Sequence, residues 1–292
     1  PAHLEKTKEY GKFFIDFNDN KFDLDLLKAL ASKITEVKKI PAFAVTDNNF
    51  SLLSDRDYCN RDTQILDKIT IHHAETPNYF SFKRMNEVFT QMKKGYGIAG
   101  YHFLLRTSYE QDLARPNGEF VEAEMGTGRP ISLVGGHNSK EINGFNSKYT
   151  NANNILKSKF ISTPKSWEEA KPYAQCFRKT KKGNSPISLQ QYFQDDGYMS
   201  ENLRSLGIGV IGTYFSGSTK RKLTMADEGV NLIAKTICKL AKTYPNIYFV
   251  DVHQDTQSTD CPGNVRSQLP QIQQRVAMEC FEEGIMFPYT KK

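Results

Sequence analysis

Long apolar runs are missing from this 292-residue chain. Nowhere do about 18 apolar residues follow one another, so no segment reads as a membrane span. The opening Pro1-Ala2-His3-Leu4 carries no basic region followed by an apolar stretch. A secretory leader is therefore either absent or already removed. Cysteine is scarce, at five residues: Cys59, Cys176, Cys238, Cys261 and Cys280. An odd, sparse set is not a disulfide framework, although one or two bridges are compatible with work outside the cytoplasm. Tryptophan occurs once, as Trp167. Nucleic-acid-binding motifs, internal repeats and low-complexity tracts are all lacking.

What is present is ordinary for a globular chain: 38% apolar and 25% charged residues. The length suits one large domain, or one domain with additions. The net charge is +6, with small basic clusters at Lys179-Thr180-Lys181-Lys182 and Lys220-Arg221-Lys222. Such clusters read first as solvated loops, and second as attraction to an anionic polymer such as nucleic acid or cell wall.

Hydrophobic spacing predicts the elements. Leu24, Leu26, Leu27, Leu30, Ile34 and Val37 recur at helical spacing, and Pro41 to Asn60 reads as loop. Ile69 and Ile71 alternate with Thr70 and His72, which predicts a strand. Phe82 to Lys94 reads as a helix with Met85, Val88, Phe89 and Met92 on one face. Strands are expected at Tyr101 to Arg106, at Glu119 to Glu124 and within Ser205 to Tyr214. A strong helix follows over Thr224 to Lys242, then a strand over Asn246 to Val252. A closing helix over Val265 to Phe281 is expected to break near Pro270. Interleaved strands and helices imply an α/β fold: a central mixed β-sheet flanked by helices. The polar stretch from Asn138 to Arg204 interrupts that rhythm. Its expected helix, Ser166 to Thr180, opens on a capping box, Ser166-Trp167-Glu168-Glu169. The domain reading is an N-terminal extension over 1–60 with one helix, and a catalytic domain over 61–292 holding an insertion at 138–204.

The six histidines are His3, His72, His73, His102, His137 and His253. Two sit at strand ends beside distinctive partners, in Ile71-His72-His73-Ala74-Glu75-Thr76-Pro77 and in the loop from His253 to Gly263. A catalytic zinc takes three N, S or O ligands and leaves one position open for water. His72, His253 and Cys261 supply two imidazoles and a thiolate. Adjacent strand residues face opposite ways, so His72 and His73 do not both reach one ion. His72 is the ligand chosen, and His73 is expected to support it or pack in the core. Alone, a histidine at a strand end is more often structural, and a lone buried cysteine is more often inert packing.

Together these pieces resemble the type-2 N-acetylmuramoyl-L-alanine amidases, a family that includes phage lysozyme-type amidases and animal peptidoglycan recognition proteins. The matching stretches are Ile69-Thr70-Ile71-His72-His73, Gly100-Tyr101-His102-Phe103, Val134-Gly135-Gly136-His137-Asn138, Ser205 to Val210 and His253 to Gly263. Their order is the family's order, and they cover roughly residues 65–137 and 205–265. The resemblance implies one Zn2+ per chain held by His72, His253 and Cys261. It implies hydrolysis of the amide between N-acetylmuramic acid and L-alanine, with peptidoglycan or muropeptides as partner. Endolysin-like, bacteriolytic action on the cell wall follows, whether periplasmic, secreted or phage-delivered. Tyr101 is implied beside the metal, and Thr259 at a position where relatives carry Lys or Thr for the oxyanion. His137 and Asn138 are implied near the substrate. Some relatives carry a catalytic Glu where this chain has Ile211, which puts it with the tyrosine-using branch.

Three other readings compete. A non-catalytic recognition module would lack a zinc ligand, whereas all three positions are filled here. Another zinc hydrolase, a deaminase, would need a Pro-Cys-x-x-Cys element beside His73-Ala74-Glu75, and none exists. A cysteine hydrolase would use Cys261 with His253 and would ignore chelators.

Overall fold

The computed structural model describes residues 45–52, 56–92, 98–136, 167–193, 201–215, 223–247, 249–256 and 259–283. The helix expected over Leu24 to Val37 lies outside them. Among the described residues nine strands form two sheets: β1 (Val45–Thr46), β2 (Arg56–Arg61), β3 (Lys68–His73), β4 (Phe103–Arg106), β5 (Glu124–Thr127), β6 (Ala174–Thr180), β7 (Gly183–Ile187), β8 (Ser205–Val210) and β9 (Phe249–Val252). The large sheet runs β1-β5-β4-β8-β3-β9 and the small one β2-β6-β7. In the large sheet β4, β8, β3 and β9 are parallel, while β5 is antiparallel to β4. This is the mixed α/β sheet expected from the sequence.

Each face of β3, β4 and β8 is covered, so these strands are buried on both sides, as parallel strands are. Ile69, Ile71, Phe103, Leu105, Leu206, Ile208 and Val210 point to one side. There they meet α2 (Asp227–Thr243) and α3 (Leu269–Glu282) through Val230, Ile233, Ile237, Ile272 and Val276. Each such aliphatic side chain contributes about 1.5–3 kcal/mol of transfer free energy. On the opposite face α1 (Phe82–Glu87) buries Phe82 and Met85 with Phe89, against Tyr101, Leu104 and Ile211. Beyond Glu87 the helix widens into a π-turn over Val88–Met92.

Several expectations shift. The third strand lies at Glu124–Thr127 and not over Glu119 to Glu124. There Met125 goes inward and Gly126 lies against Phe82, a fit that alternation of charged residues does not reveal. The closing segment does change near Pro270: a 3-10 helix over Gly263–Gln268 gives way to α3 at Leu269, and Pro270 sits in the first turn of α3, where the missing N–H costs nothing. Arg56 to Asn60 is strand and not loop. The helix expected over Ser166 to Thr180 stops at Ala170, and Ala174–Thr180 is strand. Tertiary pairing overrides the capping signal here. Strand β6 lies antiparallel to β2 and bonds to it as the disulfide Cys59–Cys176. A second disulfide, Cys238–Cys280, ties α2 to α3. Thus the segment before β3 and the segment around residues 167–193 build one small sheet with its own core of Cys59, Ile65, Val134, Ala174, Cys176, Leu189 and Leu203.

Candidate metal centre

Strands β3 and β9 are neighbours and parallel, so their C-terminal ends meet at one edge of the large sheet. His72 closes β3, and His253 follows directly on β9 at the start of a short helix, His253–Thr256. Their rings lie 4.4 Å apart, centroid to centroid. The chain then returns to place Cys261 Sγ 3.7 Å from His72 Nδ1. One ligand atom from each of His72, His253 and Cys261 lies within 4.8 Å of the others. Tetrahedral zinc, with bonds of about 2.0–2.3 Å, holds its ligands about 3.3–3.8 Å apart. The Sγ–Nδ1 separation already falls in that range, so this donor set fits one ion after small side-chain adjustments.

His73 faces the other way. Its Nδ1 accepts from the Tyr214 N–H (3.2 Å), and its ring meets Phe215 edge-on at 4.3 Å. Its peptide is nevertheless part of the site: the His73 N–H donates to Cys261 Sγ at 3.4 Å. Burial pushes the Cys261 thiol up to about 12, against the lowering effect of that N–H. Without a metal the sulfur is therefore a thiol at neutral pH, which argues against a cysteine nucleophile. A bound divalent cation reverses this, because a coordinating thiol is deprotonated outright.

Tyr101 lies in the bend before β4. Its ring sits 5.1 Å from the His72 ring and meets Phe89 edge-on at 5.2 Å. The hydroxyl donates to the His73 carbonyl at 3.3 Å. This position depends on a residue that sequence reasoning left without a role, Gly209. A Cβ at 209 would overlap the Tyr101 ring. Gly209 pairs with His72 across β3 and β8, so the glycine seats the tyrosine beside the histidine. Glycine inside a strand was the available signal. Thr259 Oγ1 accepts from the Cys261 N–H at 3.2 Å, which turns the loop and leaves the hydroxyl hydrogen to donate. His137 and Asn138 lie outside the described residues. Ile211 is fully buried beside Tyr101, so an apolar side chain occupies that wall.

His102 is buried and held by the backbone around it. Its Nδ1 accepts from the Gly207 N–H (3.0 Å), and its Nε2 lies 2.7 Å from Arg61 Nη2 and 3.0 Å from the Leu133 carbonyl. Burial, and then the Arg61 guanidinium, hold its pKa well below the usual histidine value. Arg129 bridges the neighbouring loops: Nε donates to the Ala99 carbonyl at 3.0 Å and Nη1 to that of Val134 at 2.6 Å.

Fold and site together define a mixed α/β protein with a buried His-His-Cys cluster able to hold one metal ion. No protein-family model matches the chain, and no curated protein does. Among solved structures it is similar to the N-acetylmuramoyl-L-alanine amidase LysC from Clostridium intestinale URNW, at 15% identity and a TM-score of 0.43, over 84% of this chain and 99% of that one. It is also similar to the Ph2119 endolysin of Thermus scotoductus MAT2119 bacteriophage Ph2119 (13%, 0.41, 81% and 99%). A third is bumblebee PGRP-SA (14%, 0.42, 78% and 94%). All three scores lie below 0.5, and the functional reading rests on the side chains and not on this likeness.

Proposed function

We propose that the chain is a zinc-dependent amidase that hydrolyses the bond between N-acetylmuramic acid and L-alanine in peptidoglycan. The observation that carries it is the convergence of His72, at the end of β3, with His253 and Cys261 from the stretch that follows β9. The motif resemblance supplies the substrate. Bound there, zinc would lower the pKa of a water from about 15.7 toward about 7 and polarise the scissile carbonyl. The protein's own groups do the rest. The His73 N–H steadies the Cys261 sulfur. Tyr101, freed from the His73 carbonyl, donates its hydroxyl hydrogen to the oxygen that gains charge as the amide is attacked. Thr259 offers a second donor from the loop of Cys261. One such donor is typically worth about 3–4 kcal/mol in the transition state. The apolar wall of Ile211, Phe89 and Leu104 raises the strength of these interactions by excluding water.

A non-catalytic recognition role is the second reading, and the complete ligand set speaks against it. The test pairs metal analysis with mass spectrometry of digested peptidoglycan. We expect about one zinc per chain, free stem peptides with new L-alanine N-termini, intact glycan strands, and loss of product with a chelator. New reducing ends would make it a glycosidase, and chelator-resistant cleavage would remove the metal from the reaction.

A further inference from the structure

Among the described residues the exposed large apolar side chains are Tyr79, Leu113 and Phe120, at 62%, 40% and 73%. Of these, Tyr79 stands on the loop that leaves β3 directly after the His72-His73 pair. That loop is held at its base. Thr76 and Asn78 are buried, the Thr76 carbonyl accepts from Thr213 Oγ1 (3.3 Å), and the Phe80 N–H closes a turn on the Pro77 carbonyl (3.2 Å). Phe80 then packs on the apolar cluster that contains Tyr101 and Ile211. Its ring meets Tyr79 edge-on at 5.7 Å, and the Arg84 guanidinium lies 5.8 Å from its centroid. Tyr79 is therefore an exposed ring braced from behind by Phe80, which itself rests on the apolar cluster beside His72 and Tyr101.

We infer that Tyr79 is a stacking platform for a pyranose ring of the glycan strand, a saccharide subsite outside the metal centre. This rests on the peptidoglycan reading above. The occupant follows from chemistry. A pyranose presents an uncharged face of C–H groups that covers an aromatic ring, and a braced ring loses little entropy on binding. A stem peptide would bring carboxylates, and the guanidinium over Phe80 is already paired: Arg84 Nη1 donates to Glu87 Oε2 at 3.0 Å. Two aromatics near the small sheet are placed differently. Tyr173 and Tyr192 are part-buried against that sheet's own core.

The test uses the zinc-loaded full chain and an N-acetylglucosamine tetramer, which carries no lactyl–peptide bond to cut. Binding is read by saturation-transfer and chemical-shift NMR titration. We expect Tyr79→Ala to weaken tetramer binding about ten-fold, the scale of one ring-stacking contact. Tyr79→Phe should retain it, since the ring and not the hydroxyl is needed, and both variants should keep their zinc. Equal tetramer affinity in wild type and Tyr79→Ala, or no tetramer binding by wild type, overturns the platform. So does a Tyr79→Ala defect confined to a free stem tripeptide. A protein that binds the tetramer through Tyr79 yet leaves peptidoglycan uncut keeps the platform and loses the hydrolytic reading. One that cuts peptidoglycan with tetramer affinity indifferent to Tyr79 does the reverse.

Discussion

His102 shows how one buried side chain makes stability depend on pH. Its ring accepts the Gly207 N–H and lies against Arg61, so the charged form has no place there. In the unfolded chain the same ring titrates near 6.5. The folded pKa is depressed, so the unfolded state binds the proton more readily below that value. Stability is then full above about pH 6.5 and is lost as pH falls from there toward the folded pKa, by at most about 1.4 kcal/mol per pH unit. Urea unfolding of zinc-saturated protein between neutral and mildly acid pH checks this against His102→Gln. The variant should show a shallower fall. The metal site contributes equally to both proteins, so parallel curves would mean that His102 titrates as it does in a peptide.

At the scale of elements, the decisive feature is the glycine pair of β8. Gly207 and Gly209 pair with Thr70 and His72 of β3, and a Cβ at 209 would overlap the Tyr101 ring. The His102 N–H donates to the Gly207 carbonyl at 2.9 Å, and the Tyr101 ring rests over Gly209. Gly209→Ala should therefore displace Tyr101 and lower turnover while zinc binding persists. Tyr101→Phe removes only the hydroxyl and should lower turnover by about 100-fold, the scale of one lost transition-state donor. Steady-state kinetics with metal analysis separates the cases. Full activity in Tyr101→Phe would show that the tyrosine only packs, and that Gly209 matters for folding alone.

For the whole molecule, the disulfide Cys59–Cys176 joins segments 117 residues apart. It holds β2 to β6, and the Cys59 carbonyl accepts the Val134 N–H at 2.9 Å, just ahead of Gly135-Gly136. The polar stretch around residues 167–193 is thus not a detachable lid: it supplies two of the three strands of the small sheet. Replacing it with a short linker would strip β2 of its partner. A gentler test is the double variant Cys59→Ser/Cys176→Ser. The loop closed is long, so the loss in urea-unfolding free energy should be about 3–5 kcal/mol. On the proposed reading zinc stoichiometry should be unchanged, because His72, His253 and Cys261 gather beside the large sheet, away from this disulfide. An unshifted midpoint would show that sheet pairing alone carries this connection.

The sequence by itself determined the large sheet's main strands, the long helix and the choice of His72 over His73. These follow from local periodicity: alternation fixes which side of β3 each histidine faces, and a 3.6-residue repeat fixes the buried face of Asp227–Thr243. His72 and His253 were legible for the same reason, since one closes a strand and the other follows one, whereas Cys261 lies in the loop beyond a short helix. Tertiary structure alone decided that β3 and β9 are adjacent, and hence that His72, His253 and Cys261 meet. It also decided that Ala174–Thr180 is strand, because its partner β2 lies more than 100 residues earlier. The seat of Tyr101 on Gly209 and the exposure of Tyr79 belong to this second group. Local propensity encodes neighbours along the chain. Pairing between distant strands, and the surfaces it leaves open, depends on which segments bury one another's apolar faces.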